Sequence, residues 1–232
     1  MDLKRIIKWA FAALIVVLVN LALFLWYWIL TDQGNYIEKE VPEASRLIIA
    51  EACRRIFITQ YYIWFTCINL IMSGIILWYK GQVSGIYFLG LAFAFTFISS
   101  EIFKSSIAKN YYDIFCHQRV SRDFMEEPIL SAGYPIGPYI TPHLKEKDFK
   151  GRRAAISGMG KIQYTPAIPA LASILDDSSE TKVFRGEAYL SLKKMNSDPA
   201  KVVLEEFTQE LIAQKDTAMY NYIRNYEKGD MY

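Results

Sequence analysis

Three cysteines in 232 residues are too few for a disulfide scaffold, and their spacing suggests no zinc or haem site. Net charge is almost absent: 26 Lys and Arg against 24 Asp and Glu leave +2, which gives no reason to expect a nucleic-acid or other polyanionic partner and excludes an acidic or basic disordered tail. Catalytic patterns are missing too. No HExxH, Ser/His/Asp set or paired-carboxylate arrangement can be assembled, and Gly158-Met159-Gly160 has neither a strand before it nor a Lys-Ser or Lys-Thr after it, so it is not a phosphate loop. The most informative deficit is one of charge in the first half. Met1 to Phe103 carries 8 basic and 7 acidic residues, whereas Lys104 to Tyr232 carries 18 and 17. The chain is therefore read as a membrane domain, 1–103, followed by a charge-balanced helical domain, 104–232.

Ile6 to Leu30 is a run of 25 residues whose single charge, Lys8, sits near its start. A hydrocarbon core of about 30 Å needs about 20 helical residues, so the run predicts a span over about 6–30. Trp9 near one end and Trp26, Tyr27 and Trp28 near the other suit the two headgroup levels. A signal peptide has a shorter apolar centre and a small-x-small site, whereas WYWIL-TDQGN has none, so the run reads as an uncleaved anchor. Further spans are expected over 57–79 and 83–103, separated only by Lys80, Gly81 and Gln82, a linker that forces an antiparallel hairpin. Pro42 suits the first turn of a helix, which predicts that the segment before the second span is helical and continues into it.

Asn20 and Asn69 lie mid-span, where an amide prefers an interhelical partner, each other or a neighbouring subunit. Apart from Lys8 at the start of the first span, the one charged group within a span is Glu101, at an end that reaches water, so a transporter or channel acting alone is not expected. Gly81 and Gly85 make a GxxxG spacing that straddles the turn and carries little weight. For orientation, Lys4, Arg5, Lys8 and Lys80 lie on one side, against Lys39, Arg46, Arg54, Arg55, Lys104, Lys109, Arg119 and Arg122 on the other. The positive-inside rule then predicts a cytoplasmic C-terminal domain in a multi-pass protein of the cell (inner) membrane, although the basic start of the first span argues the reverse. Cys67 is mid-span; Cys53 and Cys116 share a side and are paired or free according to compartment.

From Lys104 onward the pattern is all-α, with helices expected over 110–127, 137–145, 150–162, 165–175, 181–195, 199–214 and 216–226. Gly137 to Ile162 can be set against Ile168 to Met195: Pro138 falls on Pro169, Ile140 on Leu171 and Leu144 on Leu175, and after two extra residues Arg152 falls on Arg185, Ala155 on Ala188, Met159 on Leu192 and Ile162 on Met195. A helix, a tight turn and a second helix per unit is the grammar of an α-solenoid. Arg152-Arg153-Ala154-Ala155, Gly160-Lys161-Ile162 and Ala167-Ile168-Pro169-Ala170-Leu171 with Ile174 and Leu175 resemble the bacterial-type, or phycobilisome-lyase-type, HEAT repeat. The second unit departs from it at Arg185-Gly186-Glu187 and Lys193-Lys194-Met195, and the good match covers roughly 60 residues. The resemblance implies a short HEAT-like solenoid with 110–127 and 199–226 as caps, and stacking roles for Arg152 and Arg185, whose alternative is a solvated helix charge. Gly158 and Gly160 are expected to end the inner helix.

Lyases that share the repeat attach a bilin to a cysteine, but they are soluble and built from more repeats, so no enzyme activity is expected. His117, adjacent to Cys116, and His143 are expected to pack or face solvent; no catalytic residue, cofactor or metal is assigned. The expected function is a non-catalytic accessory or scaffold subunit of a larger membrane complex, with other subunits and the lipid bilayer as partners. The alternative is a small membrane sensor or transport accessory in which Glu101, Asn20 or Asn69 touches an ion, lipid or quinone. Tyr220, Tyr222 and Tyr226 read as a contact tail or, alternatively, as the end cap of the solenoid.

Overall fold

A computed structural model of the chain describes residues 3–30, 41–118, 125–213 and 217–228. Among these residues the fold is entirely helical. It opens with three long helices, α1 (Leu3–Leu30), α2 (Glu43–Tyr79) and α3 (Ser84–His117). Two compact units form: Met1–Asn35 with Ala50–Asn110, and Tyr36–Ile49 with Tyr111–Tyr232.

α2 and α3 are long and apolar enough to cross a membrane, and only 17% and 11% of their most apolar stretches are buried within the protein. A core helix of a soluble protein has the opposite character, because its apolar side chains are covered. Three such helices are expected from the sequence; among the described residues two qualify, and α1 contributes a shorter apolar stretch, Leu14–Trp26. α2 starts at Glu43 and runs unbroken into its apolar stretch, as expected from Pro42. α3 does not stop at Phe103. It continues to His117 because Lys104 to Asn110 contains neither Pro nor Gly, and charge alone does not break a helix that leaves an apolar environment. The separate helix expected over 110–127 is thus the end of α3, and residues 119–124 lie outside the described residues.

In the first unit, Gly81 takes a φ of +71° in the turn between α2 and α3. The helices then meet on glycine: a Cβ on Gly85 would lie 2.6 Å from the Gly74 carbonyl oxygen, and one on Gly74 would lie 3.0 Å from that of Gly85. Gly85, Ala92 and Ser99 recur every seven residues along the buried seam of α3, as coiled-coil-like packing requires. Gly85 thus acts with Gly74 across the hairpin, whereas Gly81 serves the turn.

α1 lies antiparallel to α2. Phe24 meets Phe57 and Tyr61 edge-on at 5.5 and 5.6 Å, and Trp28 meets Phe57 at 6.0 Å. Between them and the other end, Asn20 and Asn69 exchange hydrogen bonds: Asn69 Nδ2 donates to Asn20 Oδ1 at 3.0 Å and Asn20 Nδ2 donates to Asn69 Oδ1 at 3.3 Å. Each amide also donates to its own helix, to Val16 O at 2.8 Å and Phe65 O at 2.7 Å. Replacing either Asn with Leu strands the other amide and is expected to cost about 0.6–2 kcal/mol, whereas the double replacement recovers most of that loss. Thermal unfolding of the three variants in one detergent checks this; equal losses in single and double variants would contradict it.

The second unit adds α4 (Glu127–Ala132), α5 (Gly137–Ile140), α6 (Arg152–Lys161), α7 (Ile168–Asp176), α8 (Lys182–Met195), α9 (Asp198–Ala213) and α10 (Thr217–Lys228). The helix expected over 137–145 is reduced to α5 between two 3-10 turns, Tyr134–Ile136 and Thr141–His143, and α4 runs on from Glu127 through residues that fall in none of the expected helices. α8 lies at the centre, against α6, α7, α9 and α10; α7 also touches α9, and α4 touches α6. Ile156, Met159, Leu171, Ile174, Leu175 and Leu192 fill the core. α10 touches α8 and α9 and buries Met219 and Ile223; the side chain of Tyr226 lies outside the described residues.

Gly158 and Gly160 do not end α6, which runs on to Lys161; the left-handed φ of +53° falls on Gln163. Their role is close approach. A Cβ on Gly158 would come within 2.8 Å of Ile129, and one on Gly160 within 2.5 Å of the Ser191 Cα. Beside that contact, Ser191 Oγ donates to Ile156 O at 2.8 Å.

Candidate functional site

Polar groups in the second unit concentrate where one helical pair meets the next. Arg152, at the start of α6, is buried and donates from Nε to Leu144 O at 2.6 Å. Arg185, in the first turns of α8, donates from Nε to Leu175 O at 2.7 Å. Leu144 and Leu175 are the residues that the internal alignment superposes, and so are the two arginines. The same hydrogen bond therefore recurs at the two aligned positions, tying α6 to the end of the 3-10 turn before it and α8 to the carbonyl end of α7.

Each guanidinium also lies against a ring from the following pair: Arg152 is 4.8 Å from the Phe184 centroid and Arg185 is 5.4 Å from that of Phe207. Arg152 Nη2 completes an ion pair with Glu180 Oε1 at 2.6 Å, both side chains being almost fully buried. Arg153 pairs with buried Glu187 at 3.2 Å. In the turns, Lys147 Nζ donates to Ser179 Oγ at 2.9 Å and lies 3.7 Å from Asp177 Oδ2, while Ser179 donates to Asp177 Oδ1 from both its hydroxyl and its backbone N–H. Those two Ser179 donors hold the Asp177 carboxyl below the usual carboxylate range. Asp176 is displaced upward, first by desolvation and then by Glu210.

Sequence reasoning singled out the arginines but missed Glu180, Glu187 and Ser191. Glu180 stands in Asp-Asp-Ser-Ser-Glu-Thr, which reads as a solvated turn, and only its partner 28 residues away makes it structural.

Remaining candidates are occupied with packing. His143 stacks between Tyr112 at 6.1 Å and Phe149 at 5.3 Å, and its Nδ1 faces the Glu146 carboxylate at 3.0 Å. His117 Nδ1 lies 2.8 Å from Asp113 O. No disulfide joins any two of Cys53, Cys67 and Cys116, and desolvation pushes the Cys116 thiol up to about 11. Glu101 sits 3.4 Å from Lys104. Further along α2, hydrogen bonds from Arg54 and then Arg55 hold the Glu51 carboxyl down at about 2. Among the described residues no group of three or more His, Cys, Asp or Glu is placed to hold a metal ion.

What this arrangement does chemically is to join helices to one another. No protein-family model, curated protein or solved structure matches the chain.

Proposed function

We propose that the chain is a three-span membrane protein whose second unit is a short HEAT-like solenoid, acting as a non-catalytic accessory or scaffold subunit of a larger membrane complex. One observation carries the reading. Asn20 and Asn69, the mid-span amides, are spent on each other, and Arg152, Arg153 and Arg185 with the buried carboxylates of Glu180 and Glu187 are spent between helices of the second unit. What remains outward is surface. Support for the third span comes from packing: α1 follows α2 in antiparallel register from Asn20 to Trp28, and the 25 residues of its apolar run, at about 1.5 Å each, are long enough to cross a hydrocarbon core. Support for the solenoid comes from the repeated arginine bond and from pairing of α7 with α8 and of α9 with α10, the former pair touching both the earlier α6 and the later α9.

The alternative of an ion, lipid or quinone held by Asn20, Asn69 or Glu101 is not favoured by any observation, since the amides satisfy each other and Glu101 has Lys104. Purification in mild detergent tests the scaffold reading. Stoichiometric co-purifying chains are expected; a lone monomer that retains an activity would sink it.

The reading places the second unit in the cytoplasm, and the half-buried Cys116 is a poor thiol reporter of that. With its thiol held up near 11, wild-type Cys116 is expected to label slowly with maleimide even in permeabilised cells. A cysteine at exposed Ser178 is the suitable reporter: it should label with an impermeant reagent only after permeabilisation, and labelling in intact cells would reverse the topology.

A further inference from the structure

We propose that Arg54, Arg55 and Lys104 form a headgroup site for an acidic phospholipid, at the level where the apolar stretches of α2 and α3 end. The inference rests on the membrane reading given above. Its first element is register. The helices meet at Gly74 and Gly85; Arg54 and Arg55 lie 20 and 19 residues before the former, and Lys104 lies 19 residues after the latter. At about 1.5 Å per residue all three stand roughly 30 Å from the crossing and so at one level, just outside the spans expected over 57–79 and 83–103. Ala52 and Ala108, 22 and 23 residues from the two glycines, are likewise both buried, at 3% and 1% exposure.

The second element is how the cations are held. Glu51 accepts from Arg54 Nε and Nη2 at 2.8 and 2.9 Å and from Arg55 Nε at 2.8 Å. One carboxylate thus fixes two guanidiniums side by side. A guanidinium has five N–H donors, so most of the set stays uncommitted to Glu51, on side chains that are 61% and 62% exposed. Lys104, 52% exposed, adds a third cation beside Glu101. Paired guanidiniums match the oxygens of a phosphodiester in a way that ammonium groups do not. Exposed Trp26, Trp28 and Tyr62 belong to the same end of the helices, where aromatic rings favour the headgroup level. A glycerophospholipid with net negative charge fits both features: its phosphate meets the arginines, and its acyl chains run along the exposed apolar faces of α2 and α3.

The test uses the full chain in bilayer nanodiscs of phosphatidylglycerol, phosphatidylethanolamine or an equal mixture, followed by native mass spectrometry of retained lipid. Wild type is expected to retain phosphatidylglycerol preferentially. Because a basic residue near a charged surface contributes about fivefold, Arg54→Gln with Arg55→Gln should reduce the preference about 30-fold. The double Lys variant keeps the charge without the fork and should fall between. Lys182→Gln with Lys194→Gln, the same charge change on α8, should leave the preference as it was. Equal retention of both lipids by wild type, or an unchanged preference in the Gln variant, would overturn the site; so would displacement of the lipid by an equal concentration of inorganic phosphate. Failure of the chain to enter any bilayer would instead remove the membrane reading itself.

Discussion

Gly160→Val is expected to separate α6 from α8 and release the protection of both helices. The Cβ of any residue at 160 would lie 2.5 Å from the Ser191 Cα and 2.9 Å from its carbonyl oxygen, and backbone on the central helix cannot move aside cheaply. Alanine gains about 1 kcal/mol of helix propensity over glycine, but overpacking costs about 1–3 kcal/mol, so Gly160→Ala should be destabilising and valine more so. For valine we expect a loss of at least about 3 kcal/mol, read as amide exchange on the order of 100-fold faster across 152–161 and 182–195 of the full chain. Trimming Ser191 to Gly should not rescue it, because two of the three nearest atoms are backbone. Gly90→Ala in α3 is the contrast: nothing lies within 4 Å of a Cβ there, so stability should hold or rise by up to about 1 kcal/mol. Unchanged exchange in Gly160→Val would mean that α6 and α8 do not pack as described.

Arg152→Ala should cost about 3–5 kcal/mol, because it leaves the Glu180 carboxylate buried and unpaired and removes the donor from Leu144 O. Much of that is the penalty for the stranded charge. Changing Arg152 to Met together with Glu180 to Leu should therefore recover most of it, since a buried pair is often no more stable than apolar side chains of similar volume. Arg185→Ala removes the equivalent carbonyl bond and a ring contact from a half-buried side chain, and should cost about 1–2 kcal/mol. Denaturant unfolding of the full chain, followed by amide exchange, checks the order Arg152 above Arg185. A double variant as unstable as Arg152→Ala would show that the arginine is needed for shape rather than for charge balance.

Much of this was legible in the sequence, for identifiable reasons. Helical periodicity located α6 to α10, because their breaks carry Asp-Asp-Ser-Ser and Asn-Ser-Asp-Pro, residues that offer the backbone alternatives to a helix. The Asn20–Asn69 pair is one of the two outcomes that mid-span amides allow, the other being a partner on a neighbouring subunit. The repeat register followed from spacing, and the arginine bonds to Leu144 and Leu175 then fell on the aligned residues.

What escaped was settled by distant parts of the chain. Gly158 and Gly160 look like stop signals until Ile129 and Ser191 are seen against them. Glu180 looks solvated until Arg152 reaches it. The end of α3 carries no punctuation at Phe103, so composition placed a boundary where the backbone has none; α3 continues to Ile114 and Phe115, which are buried in the second unit.

The account makes the outside of the second unit its working surface, and site-directed photocrosslinking tests that most directly. Leu130, Val183, Val202 and Ile212 are exposed apolar positions on α4, α8 and α9. A photoreactive residue placed at each in turn, in the full chain in its native membrane, is predicted to give at least one discrete product with a protein partner that also co-purifies in detergent. If none of the four positions crosslinks to protein while each variant remains inserted and folded, the scaffold reading is contradicted.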